Sequence, residues 1–114
     1  MRYYHAARGS GRLTQALGPL SNRDVRLDSY FSLPTDLAAE LGSWPEFVSG
    51  QEYEADLRSD DELVLVRLEQ DEGRPFVRVR GSGNGPLFHR VLGTVIHALS
   101  AHSDDVWLTR WSDS

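Results

Sequence analysis

The stretch EYEADLRSDDELVLVRLEQDEGRPFVRVRG, residues 52 to 81, limits the fold more than any other part of the chain. Its apolar residues recur every second position, which a strand can bury on one face and a helix cannot. Val64, Val66 and Leu68 fall on one side of such a strand, and Leu63, Leu65, Arg67 and Glu69 on the other. SDDE and DEGR interrupt the alternation with residues that favour turns. Three strands in a meander are therefore expected, at 52–58, 63–69 and 75–80. Tyr53, Ala55 and Leu57 should share the half-buried side of the first.

The rest of the chain supplies elements to cover this sheet. PLFHRVLGTVIHALSAH, 86–102, places Phe88, Val91, Leu92, Val95 and Leu99 at three- and four-residue spacings, an apolar helical stripe. LPTDLAAELG predicts a shorter helix over 34–42, with Pro34 in the first turn and Gly42 as its stop. Strands are expected at 2–6, 24–33 and 105–111. WPEFVSG, which follows the short helix, reads as a loop or a single turn. The fold class is α+β: a single small domain, 1–114, mainly antiparallel sheet (meander 52–80 plus terminal strand 105–111), packed by a helix at 86–102 and a shorter helix at 34–42. At 114 residues the chain is long enough to bury a core without disulfide staples.

Composition removes several kinds of chemistry. With no cysteine there is no thiolate metal site and no Cys nucleophile. All twelve basic residues are Arg, so Schiff-base and P-loop lysine chemistry are excluded. No apolar run approaches the roughly 18 residues that a spanning helix needs, and the first residues lack the apolar core of a signal peptide. A cytoplasmic protein without a membrane partner is the expectation.

The nearest approach to a chemical motif is GSGNGP, 81–86, between the third meander strand and the long helix. A phosphate cradle needs backbone N–H groups aimed into a concavity at a helix N-terminus, usually with a Lys and a Ser or Thr. Pro86 removes one donor, and no Lys is present. The expected role is a structural turn, with Asn84 or Gly85 capping the helix and Pro86 at its first position; an anion held with help from Arg80 is the alternative. Histidines do not improve the case for a metal. His89 and His97 are two helical turns apart, about 12 Å along the axis, too far to share an ion unaided. A zinc site would require His5 or a carboxylate from elsewhere. No serine lies in a GxSxG elbow, and the pairs Asp60/Asp61 and Asp104/Asp105 sit where turns are expected. No catalytic residue, metal or cofactor is assigned; for a small enzyme with a scattered site, His89, His97 and Arg80 are the first residues to test.

Charge is distributed unevenly. Residues 1–26 balance to +4, residues 46–72 to −8 and residues 73–111 to +3, within a total of −5. The total argues against a general phosphate-backbone binder, whose affinity rests on cation–phosphate attraction. The acidic middle fits a protein that meets a basic protein partner, with Glu52, Glu54, Asp56, Asp60, Asp61 and Glu62 as the contact residues. In type, though in no specific motif, the chain is similar to small bacterial immunity or antitoxin proteins, inhibitors that mask a basic partner such as a toxin. A second candidate surface is the sheet side carrying Arg67, Arg78, Arg80, Trp107 and Trp111, which as an open face would suit a nucleic acid or nucleotide. Alternatively, the short helix and the WPEF segment cover that side as a second core layer.

Overall fold

The computed structural model describes residues 3–5, 23–29, 37–51, 53–83, 85–100 and 106–110. Their elements, in chain order, are β1 (Tyr3–His5), β2 (Arg23–Ser29), α1 (Leu37–Gly42), β3 (Phe47–Gln51), β4 (Glu54–Ser59), β5 (Glu62–Asp71), β6 (Arg74–Ser82), α2 (Leu87–Ser100) and β7 (Val106–Arg110). The strands form one sheet in the order β1-β7-β2-β6-β5-β4-β3, with every neighbouring pair antiparallel. The α+β class holds, and the expected meander is its centre.

Alternation decides which side of the sheet is the core. Val25, Leu27, Ala55, Leu57, Val64, Val66, Val77 and Val79 are all buried on one face. Register explains their meeting: Val79 lies opposite Val25 on one side and Val66 on the other, and Val66 opposite Ala55. A one-residue slip in any strand would turn this row to solvent. Leu87, Phe88, Val91, Leu92, Val95, Ile96 and Leu99 of α2 close over the same face, and α1 adds Leu37 and Leu41. Both helices thus lie on the same side of the sheet.

Two expectations at the sheet edge need correction. WPEFVSG is more than a loop: a turn at 43–46 leads into β3, which pairs with β4 through a register shift between Phe47 and Ser49. The strand is short, exposed along most of its length and without apolar alternation, so period two does not reveal it. Tyr53 does not share the buried side with Ala55 and Leu57. It stands in the turn before β4 and is 61% exposed.

Candidate functional site

The glycine loop has an occupant from within the protein. Glu62, the first residue of β5, is only 3% exposed. Its Oε1 accepts the Leu87 N–H at 2.8 Å and its Oε2 accepts the Phe88 N–H at 2.7 Å. These are the first two amides of α2, donors with no partner inside the helix. Pro86 lies one position earlier than expected. Its carbonyl accepts the Arg90 N–H at 3.0 Å, which makes it the residue from which the helix starts. A carboxylate from a strand 25 residues away therefore caps the helix at Leu87 and Phe88; of the two local caps expected, Gly85 has no side chain to offer and Asn84 lies outside the described residues. Glu62, expected among the partner-facing carboxylates, is an internal group.

The glycines follow from this arrangement. A Cβ on Gly85 would collide with the Glu62 carboxylate, and one on Gly81 would come within 2.7 Å of the Phe88 ring. Gly83 has φ +91° and would meet the Asp61 carbonyl at 2.6 Å. The loop turns the chain and admits Glu62 and Phe88 against backbone. Arg80 gives it no help: it is 54% exposed, lies on the opposite face from Val79 and Gly81 by alternation, and its Nε is 3.9 Å from Asp24.

That opposite face is a grid of paired charges. Arg78 donates to Asp24 through two bonds, at 3.0 and 2.6 Å. Arg26 grips Asp28 with Nε and Nη2, reaches Asp71 at 3.0 Å with Nη1, and lies 4.0 Å over the centre of the buried Phe76 ring. Arg67 is 2.8 Å from Asp56 and 3.4 Å from Glu54, and Nη1 also donates to the Val66 carbonyl. Hydrogen bonding to Asp24 holds the Arg78 guanidinium above its ordinary pKa despite desolvation; Arg26 is raised in the same way, by Asp28 first and Asp71 second. Arg26, Arg78 and Arg67 are opposite one another across β2, β6 and β5, so the carboxylates also relieve like-charge repulsion.

The expected second core layer on this face is not what α1 and the WPEF segment make. They lie on the core side with α2: Trp44 and Phe47 pack on the core, Arg90 of α2 stacks 4.9 Å from the Trp44 ring, and its Nη1 bonds Glu46 at 2.9 Å. Hydrogen bonding from Arg90 holds the Glu46 carboxyl below its ordinary range. Trp107 pairs in register with Asp28 at the backbone; its side chain and the whole of Trp111 lie outside what is described.

The six acidic candidates do not converge. Glu54 and Asp56 belong to the grid with Arg67, Glu62 is buried, Asp60 and Asp61 are exposed in the β4–β5 turn, and Glu52 lies outside the described residues. β5 runs from Glu62 to Asp71, which puts the Asp60/Asp61 turn roughly 30 Å from the β5–β6 turn at Glu72. His97 is exposed on α2, and His89 packs edge-on to Phe88 with 5.6 Å between ring centres. No group of three or more His, Asp or Glu side chains suited to a metal occurs among the described residues. None of their helices is long and apolar enough to cross a membrane. No family model and no curated protein matches the chain.

Proposed function

We propose that this protein is a stoichiometric binding module for a basic protein partner, a cytoplasmic inhibitor of the immunity or antitoxin type. One observation carries the reading. Arg26, Arg67, Arg78 and Arg90 each stand in an ion pair with a carboxylate of the same chain. Glu40, Asp60, Asp61, Glu69 and Glu72 are exposed and make no ion pair among the described residues. These four cations are internally compensated, while Arg58 is exposed and Arg80 stands 3.9 Å from Asp24; the surplus anions among the described residues face outward. A surface of this kind steers a positive partner and repels nucleic acid. The competing nucleic-acid reading would require Arg67 and Arg78 to leave their carboxylates, which lowers what each can offer a phosphate.

The test is to capture the partner with tagged protein from the source cell, purify it, and measure association rates at low and high salt. The rate should fall steeply with salt, and Glu40→Arg with Asp61→Arg should slow association while the fold is retained. An association rate indifferent to salt and to both substitutions would contradict the reading. Tight capture of RNA or DNA in place of a protein would replace it with the nucleic-acid alternative.

A further inference from the structure

We infer that β3 is the docking edge, and that its occupant is an extended segment of the partner with basic side chains, added to the sheet as an eighth strand. The inference rests on the basic-partner reading above and assigns it a place. β3 is the last strand of the sheet and pairs only with β4 among the described residues. A terminal strand presents a row of unpaired backbone N–H and C=O groups, which an incoming strand can satisfy. Protective devices at this edge are few. Phe47–Gln51 contains no Pro and no charged residue, and only the irregularity between Phe47 and Ser49 interrupts it. Gly50 has no side chain to shield the backbone; a Cβ there would meet the Glu54 carbonyl at 2.6 Å and the Phe47 ring at 3.0 Å.

Two further observations point to the same edge. Val48 and Tyr53, both 61% exposed, are the exposed large hydrophobic residues among those described, and they flank Ser49–Gln51. Val48 lies on β3 itself and Tyr53 in the turn that follows it, with its carbonyl accepting the Leu68 N–H of β5, so the exposed apolar surface adjoins this end of the sheet. Charge then selects the occupant. From Leu37 to Leu57 the chain has five carboxylates and no Arg, Lys or His. Among the described residues Arg67 and Arg90 reach into this region from other elements, to Glu54, Asp56 and Glu46, and Arg58 follows at its end with its N–H on the Glu46 carbonyl. Pairing β3 with β3 of a second copy would bring together the carboxylates that flank each edge, so self-association is disfavoured and a basic strand is favoured.

The probe is a short synthetic peptide of alternating Arg and Val, titrated into the isotope-labelled full chain and followed by NMR. Amide shifts are expected at Val48–Gln51, with weaker binding by about tenfold for Val48→Lys, which leaves the core untouched. The same peptide with alternate backbone nitrogens methylated should lose binding, because it cannot complete the ladder. Equal binding by an alternating Glu/Val peptide would overturn the charge argument. Shifts confined to the Asp60/Asp61 turn would overturn the docking edge while leaving the basic-partner reading standing. A concentration-dependent dimer in sedimentation, abolished by Val48→Lys, would overturn the proposal in favour of a second copy. Absence of any shift with the Arg/Val peptide, while a purified partner still binds with steep salt dependence, would also overturn it.

Discussion

The glycine corner and the β3 edge are both places where the chain brings backbone and carboxylates together, and they are built in opposite ways. At the corner the first two amides of α2 are answered from inside: Glu62 fills the N-terminus of α2, Phe88 seals Gly81, and the Asp61 carbonyl crowds Gly83. At the edge β3 pairs on one side only among the described residues, with Val48 exposed on it and Tyr53 exposed in the turn beyond. A site already satisfied by its own protein holds the fold, whereas one left unsatisfied at the surface has capacity for another molecule. Substitutions at the corner should therefore lower stability and leave association intact, and substitutions at the edge should do the reverse.

The largest effect is expected at the corner's apolar seal. Phe88→Ala removes a fully buried ring above Gly81 and should cost about 3–5 kcal/mol in chemical denaturation. Glu62→Ala comes next. It strands two buried helix amides and removes charge from the positive end of α2, for about 2–4 kcal/mol. If Glu62→Ala instead leaves stability unchanged and weakens partner binding, the two regions have been assigned the wrong way round.

Breaking the outer grid should have an intermediate effect. Arg78→Met leaves Asp24, 12% exposed, without its two-bond partner, and should cost about 1–2 kcal/mol, between the values for exposed and buried ion pairs. The smallest effect concerns Glu46 and is best read by titration. Arg90 holds the Glu46 carboxyl below its ordinary value of 4.5. A carboxylate lowered in the folded state contributes stability that is complete above pH 4.5 and is lost as pH falls through the lowered value. Arg90→Met should raise the Glu46 pKa toward its ordinary value in an NMR titration, with little change in stability at neutral pH because the pair is at the surface.

The sequence makes one of these regions half legible and the other almost illegible. Alternation in 52–80 and the stripe from Phe88 to Leu99 locate the sheet, its inner face and the long helix, because period reports burial directly. The glycine spacing with Pro86 marks a corner. It does not identify the occupant, since Glu62 is 25 residues from Leu87 and, read in sequence, belongs to an acidic run with Asp60 and Asp61. The grid is hidden for the same reason, as 54 residues separate Arg78 from Asp24. β3 leaves almost no signal: an exposed, bulged edge strand with a glycine in it has nothing to alternate. The exposed Val48 and Tyr53 can be recognised as edge residues only once the order of the strands is known.

The division between a satisfied corner and an unsatisfied rim depends first on Glu62 being the anion of the glycine loop. The most direct measurement follows the Leu87 and Phe88 amide resonances by NMR while inorganic phosphate is added. In the wild-type protein these two amides should exchange slowly and show no saturable shift, and in a Glu62→Ala variant that remains folded phosphate should shift both. A saturable shift of Leu87 and Phe88 in the wild-type protein would mean that the corner binds an external anion, and would contradict the account.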